Sequence, residues 1–328
     1  MAHLHPARSL VLAFLSPIVP IALAAHAMAF DLHGHRGTRG HAPENTLVSF
    51  AKALDIGVTT LETDMAVTSD GVVILSHDPL LNPDITRGPD GNWLAAKGPA
   101  IHHLSYAELQ RYDVGRIHPA SRYANQFPAQ IPVDGARIPT LKQLFELGEA
   151  GGRKPRYNIE TKISPLAPHE TPDPDTFARL AVDAVRAAKL SDRVTIQSFD
   201  WRTLLAVKRI APAIATVCLT MEGAEGSNVR GAEGQPSPWL AGVDAGRLNA
   251  PAPELASAAG CSTWSPYWRN VDAAVLSLAH RLGLKVVPWT VNDPRDIATL
   301  IDLGVDGLIT DYPDRARAVM QQKGMPLP

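Results

Sequence analysis

Two histidines and three carboxylates, carried by four short segments, are the residues of this sequence whose types and spacing could do chemistry. The first segment is His33-Gly34-His35-Arg36-Gly37. Gly34 and Gly37 allow a tight turn beside a ligand, and Arg36 supplies a forked donor matched to a phosphate. His35 is the chemical candidate here, while His33 reads as structural. The second is Leu61-Glu62-Thr63-Asp64-Met65, in a β-like run. Residues two apart on a strand share a face, so Glu62 and Asp64 point one way and Thr63 and Met65 the other. The third, Asn158-Ile159-Glu160-Thr161-Lys162, repeats that geometry with Glu160 and Lys162. Side-by-side carboxylates repel unless a cation lies between them. Three of them, with no soft ligand nearby, suit one hard divalent cation, Ca²⁺ or Mg²⁺. An ion-pair network of Glu62, Asp64, Glu160 and Lys162 accounts for any one of these residues, though not for the set. In the fourth segment Ser69-Asp70-Gly71 turns the chain, and Val72–Leu75 delivers His77 within Ser76-His77-Asp78-Pro79. His35 and His77 beside a carboxylate-held cation would form an acid/base pair at neutral pH.

These segments need a frame that gathers strand ends. β-like runs are expected at Phe30–Gly34, Thr60–Val67, Tyr157–Thr161, Val194–Ser198, Ala215–Thr220, Cys261–Trp264, Lys285–Trp289 and Gly307–Thr310. Helical patterns alternate with them at Leu141–Ala150, Asp175–Lys189, Trp201–Ile210, Val271–Leu282 and Pro294–Leu303. Eight strands with intervening helices predict an α/β fold, a (β/α)8 TIM barrel, whose catalytic groups sit at the C-terminal strand ends. No strand is followed by G-x-G-x-x-G, which argues against a doubly wound dinucleotide fold. Pro43-Glu44-Asn45-Thr46 opens a further amphipathic helix through Phe50, Ala53 and Leu54, and reads equally as a helix start with an acid in its first turn. Residues from about 80 to 138, rich in Pro, Gly and Asn, form a small insertion after the second strand, too long for a plain loop. Glu222 to Pro238 reads as a flexible surface loop.

The chain has 328 residues, 45% hydrophobic and 20% charged, with a formal charge of −2. No basic patch or tail points to nucleic acid. Arg8 precedes an apolar run from Leu10 to Ala25 that is interrupted by Pro17 and Pro20, followed by Ala27-Met28-Ala29. The run is short of the roughly 20 residues a spanning helix needs. Residues 1–29 therefore read as a signal peptide cleaved near Ala29, with a barrel domain over 30–328, periplasmic or secreted and without a stable membrane anchor. Cys218 and Cys261 have no metal-ligand spacing. In an oxidising compartment they could pair, and two buried thiols are the other reading.

Taken in order, HGHRGTRGHAPENT, LETDM, DGVVILSHD, NIETK, QSFD, PWTVN and GLITDYPD resemble the signature of glycerophosphodiester phosphodiesterases, from His33 to Pro313. The resemblance implies metal-dependent hydrolysis of a glycerophosphodiester to sn-glycerol 3-phosphate and an alcohol. It implies His35 and His77 as the acid/base pair and Glu62, Asp64 and Glu160 as ligands of Ca²⁺ or Mg²⁺. Arg36 and Lys162 match the family's phosphate-side cations, and Glu44 and Asn45 fall on its Pro-Glu-Asn motif. Trp289 could line the glycerol side, with core packing an equal account. A lysophospholipase D-like enzyme would share every motif and differ in accommodating an acyl chain. A non-catalytic periplasmic phosphodiester-binding protein would have no need of both His35 and His77.

Overall fold

The computed structural model describes residues 1–3, 30–223, 226–232 and 234–328. The leader expected over residues 1–29 falls outside these but for its first three residues. Among the described residues, eight parallel strands form the barrel: β1 (Asp31–Gly34), β2 (Thr60–Val67), β3 (Arg156–Thr161), β4 (Val194–Ser198), β5 (Ala215–Thr220), β6 (Thr263–Pro266), β7 (Lys285–Val286) and β8 (Gly307–Thr310). Each is followed by a helix: α1 (Leu47–Ile56), α2 (Leu141–Ala150), α3 (Pro174–Ala187), α4 (Trp201–Ile210), α5 (Ala252–Ala258), α6 (Ala273–Arg281), α7 (Pro294–Leu303) and α8 (Pro313–Gln322). Single bonds close the seam between β7 and β8, where Asp306 N donates to Val286 O and Ile309 N to Pro288 O. The expected (β/α)8 barrel is the observed fold.

The alternation of side chains divides each strand between two environments. On β2, Leu61 and Met65 pack outward into the apolar layer under the helices, while Glu62 and Asp64 face the barrel axis. On β3, Tyr157 and Ile159 pack outward and Glu160 faces inward. Register sets Asp64 opposite Glu160, and Glu160 opposite Gln197 on β4. The apolar core thus lies between strands and helices, and the barrel axis is polar.

Helix starts are fixed locally. Thr46, from the Pro-Glu-Asn-Thr segment, caps α1 by accepting from Ser49 N, and Thr140 with Gln143 forms a capping box on α2. After β2, Val73–Leu75 folds back antiparallel on it, so His77 returns to the barrel mouth. The insertion that follows has its own small core of Ile74, Leu81, Ile101, Leu109 and Ile138. The segment after β5 carries two short paired pieces and a side-chain tether. Glu222–Gly223 pairs with Gly226–Ser227, and the Asn228 side chain donates to Leu219 O. Cys218 on β5 is disulfide-bonded to Cys261, which settles the choice between bridge and thiols.

Candidate active site

The loop after β1 is built around a turn only glycine can make. Gly37 has φ +86°, and a Cβ there would lie 2.5 Å from Ser49 Oγ and 2.7 Å from its carbonyl carbon. The turn brings Arg36 and Asn45 into the left-handed region, at φ 51° and 52°. Such backbone costs on the order of 1–3 kcal/mol and persists only where the surroundings over-determine it. Here Arg36 N donates to Glu62 Oε2 at 2.8 Å, and Arg36 O accepts from Ser49 Oγ at 3.0 Å and Asn45 N at 3.1 Å.

That clamp aims the Arg36 side chain at two acids. Its Nη1 donates to Glu44 Oε1 at 2.6 Å, and its Nε is 3.2 Å from Asp64 Oδ2. Glu44 stands behind Arg36, its other oxygen taken by the Tyr123 hydroxyl, so it reaches the cleft only through the guanidinium. Asn45 Nδ2 donates to Asp64 Oδ2 at 2.9 Å. Lys162 Nζ bonds Glu160 Oε1 at 2.7 Å. His35, Arg36, Glu62, His77, Glu160, Lys162 and Trp289 line one cleft of about 490 Å³ at the C-terminal strand ends. His33 does not join them, lying at the opposite end of the barrel, 3.1 Å from Asp31.

Oxygens of Glu62, Asp64 and Glu160 lie within 4.8 Å of one another, all three residues buried. Burial and Asp64 raise the Glu62 carboxyl well above its usual range. Burial, partly offset by Lys162, and the Asp64 charge push Glu160 up to about 7. Asp64 stays ionised, because Arg36 and His77 outweigh its burial. Its Oδ1 is buried without a hydrogen-bond partner, an unusual state for a carboxylate oxygen. A divalent cation among the three would take up that oxygen and restore ionisation of the other two, so the residues fit such an ion.

The two histidines differ in surroundings. Burial and the Arg39 charge lower His35 to about 4, although Asp311 opposes them. Asp311 Oδ1 is 2.6 Å from His35 Nδ1 and is itself held ionised by Arg39 and His35 against the cost of burial. The carboxylate must accept, so Nδ1 carries the ring proton and Nε2 keeps a lone pair toward the cleft. His77 is a third exposed, with Nδ1 2.9 Å from Asp78 Oδ1, and is lowered by burial, Arg36 and Lys162.

Sequence reasoning passed over four residues that structure this site. Asp311 sits within the quoted GLITDYPD segment, and Arg39 within HRGTRG; Arg39 Nε reaches Asp311 at 2.9 Å. Asn292 Nδ2 donates to Asp311 Oδ2 at 2.7 Å. Tyr123, from the insertion, accepts from Arg39 Nη1 at 3.0 Å, and no motif marks it. Gln197, within the quoted QSFD segment, also joins the site, its Nε2 donating to Glu62 Oε1 at 2.8 Å.

Residues 35–315 match the Glycerophosphoryl diester phosphodiesterase family. A glycerophosphodiester phosphodiesterase of Caldanaerobacter subterraneus subsp. tengcongensis is 26% identical over 290 residues, covering 88% of this chain and 97% of that protein. One from Bacillus altitudinis is 27% identical, covering 89% and 98%. A solved Silicibacter pomeroyi protein, described as a candidate glycerophosphoryl diester phosphodiesterase, superposes with a TM-score of 0.81 at 33% identity, covering 92% and 96%. An Oleispira antarctica phosphodiesterase solved with sn-glycerol-3-phosphate shares the fold, at TM-score 0.64 and 23% identity over 89% and 96% of the chains.

Proposed function

Because the chain belongs to the glycerophosphoryl diester phosphodiesterase family and is a glycerophosphodiester hydrolase, we propose that it releases sn-glycerol 3-phosphate and an alcohol by acid/base catalysis between His35 and His77. The observation that carries this reading is that both imidazoles face one cleft beside the Glu62, Asp64 and Glu160 oxygens. The Oleispira antarctica neighbour, solved with sn-glycerol-3-phosphate, supports the product.

A single Ca²⁺ or Mg²⁺ held by Glu62, Asp64 and Glu160 would supply Lewis-acid charge at the phosphoryl oxygens. Arg36 and Lys162 add positive field on the same side. His35, neutral with its Nε2 lone pair free, takes the proton of the attacking oxygen. His77, in the protonated form that Asp64 and Asp78 favour against burial, Arg36 and Lys162, gives its proton to the departing alkoxide. We take the first nucleophile to be the glycerol 2-hydroxyl, since an attacking group in the same molecule gains a large effective molarity. The new O–P bond forms as the bond to the alcohol breaks, leaving a cyclic phosphate. In the second half His77, now neutral, deprotonates water, which opens the ring. His35 returns its proton to the 2-oxygen, and both histidines are restored.

The enzymatic family removes the reading as a non-catalytic binder. Against the lysophospholipid reading stands the insertion's surface, whose large apolar side chains are buried or partly buried except Ile131. Export rests on the leader composition and on the Cys218–Cys261 bridge, which suits an oxidising compartment. Sequencing the mature N-terminus tests it, with a start at Phe30 expected. The catalytic reading is tested by assaying choline release from glycerophosphocholine and lysophosphatidylcholine, with glycerol 3-phosphate measured as the co-product from the first. Release from the first with the second untouched is expected, and the reverse would sink the assignment.

A further inference from the structure

Beside the catalytic cleft lies a second hollow of about 510 Å³ that shares Glu160, Lys162 and Phe199 with it. Pro79, two residues beyond His77, forms part of its wall, and His77 is where the reading above places the departing alcohol. Phe199 and Trp239 present aromatic surface to it. Glu170 is half-buried in its wall, and no Lys, Arg or His among the described residues lies within ion-pair distance of its carboxylate. Thr171 Oγ1, buried in the same wall, has no hydrogen-bond partner. Lys162 does not answer Glu170, since its Nζ is tied to Glu160 at 2.7 Å.

We propose that this hollow, through Glu170, Trp239 and Phe199, is a head-group subsite selecting diesters of a cationic amino alcohol. The inference rests on the catalytic reading above and adds the substrate class. An ammonium gains from the Glu170 carboxylate and from aromatic contact with Trp239, while the Phe199 ring already has Lys162 Nζ 5.8 Å from its centroid. A polyhydroxy head group can hydrogen-bond to Glu170 and Thr171, but it brings no charge to the carboxylate and no cation to the aromatic surface. The rings are held in place by the chain itself. Trp239 N donates to Ser237 Oγ, Ser237 Oγ donates to Asn228 O at 2.6 Å, and Asn228 Nδ2 donates to Phe199 O at 3.3 Å.

The test compares kcat/KM for glycerophosphocholine and glycerophosphoglycerol, which differ in head-group charge, using the full-length enzyme with Ca²⁺ or Mg²⁺. The wild-type ratio is expected to favour choline by about tenfold or more, and Glu170→Gln to cut that preference about tenfold. Trp239→Leu should do the same, and Glu170→Asp should retain more of the preference than Glu170→Gln. Cleavage of both diesters at a ratio near one, or a preference unmoved in Glu170→Gln, overturns the subsite while leaving the catalytic reading intact. Cleavage of neither diester overturns that reading and the subsite with it. If Trp239→Leu fails to fold, the two Glu170 variants decide the matter.

Discussion

The barrel axis ends in two polar cavities, built from the same faces of the same strands, and only one of them is fitted for chemistry. His33 and His35 are two residues apart on one strand line, and each faces a different cavity. At the N-terminal end each carboxylate has a basic side chain within reach. Asp31 meets Arg156 at 2.7 Å and His33 at 3.1 Å, and Asp306 meets His280 at 3.0 Å. At the C-terminal end three carboxylates crowd together, two of them pushed toward protonation, with one buried oxygen unpaired. Polarity alone therefore does not mark an active site. Unanswered charge does, because a fold carries that cost where a ligand can relieve it.

The sharpest way to break this contrast is to remove the cation. EDTA should abolish hydrolysis, with Ca²⁺ or Mg²⁺ restoring it. Since Glu62 and Glu160 hold protons when no cation neutralises them, binding near pH 7 should also release protons, measurable in weakly buffered solution. Cation binding without proton release would show that Glu62 and Glu160 are already ionised before the cation arrives. Next in size is a matched pair of substitutions. His35→Ala should lower kcat by about 10²–10⁴, the usual worth of a general acid or base. His33→Ala, at the other end of the barrel, should stay within about threefold, and a comparable loss in both would erase the distinction. Asp311→Asn follows, at roughly 10²-fold, because an amide no longer fixes His35 as the Nδ1–H tautomer. Asp311 raises the His35 pKa, so its removal should shift the acid limb of the kcat/KM profile to lower pH. An unshifted limb would reduce Asp311 to a packing role.

Much of this contrast was legible in the sequence. β2, β4, β5 and β8 have the expected bounds, because their apolar outward faces alternate cleanly. The motif residues His35, Glu62, His77 and Glu160 do meet in one cleft, since period-two geometry and the strand-end rule carry them there. Where periodicity is weak the reading slips. β6 begins at Thr263 rather than Cys261, and regular pairing on β7 stops at Val286, with Pro288, which lacks an N–H, just beyond. α5 and α8 were not anticipated. The site's outer shell was least visible. Arg39 and Asp311 are 272 residues apart in the chain, and Tyr123 is 79 from Glu44, so nothing local joins them. Such contacts are products of tertiary closure, and a chemistry-bearing type at a strand end is their only advance sign.

The mildest test concerns the paired end of the axis, where loss of a charge should affect stability and spare the chemistry. Asp31 accepts from the buried Thr60 hydroxyl at 2.6 Å in addition to its contacts with His33 and Arg156. Against the cost of burial, His33 and Arg156 hold its carboxyl far below the ordinary value of 3.8. A depressed native pKa means that the ionised form stabilises the fold. That contribution is complete above the unfolded-state value and is lost as pH falls through the native one. Asp31→Asn should thus cost roughly 2 kcal/mol at pH 7, seen as a lower denaturant midpoint, with kcat within about twofold of wild type. The gap between the two proteins should hold from pH 7 down to about 5 and begin to narrow near 4. A gap independent of pH down to the onset of acid unfolding would assign the loss to packing, and a large fall in kcat would mean that the two ends of the barrel are coupled.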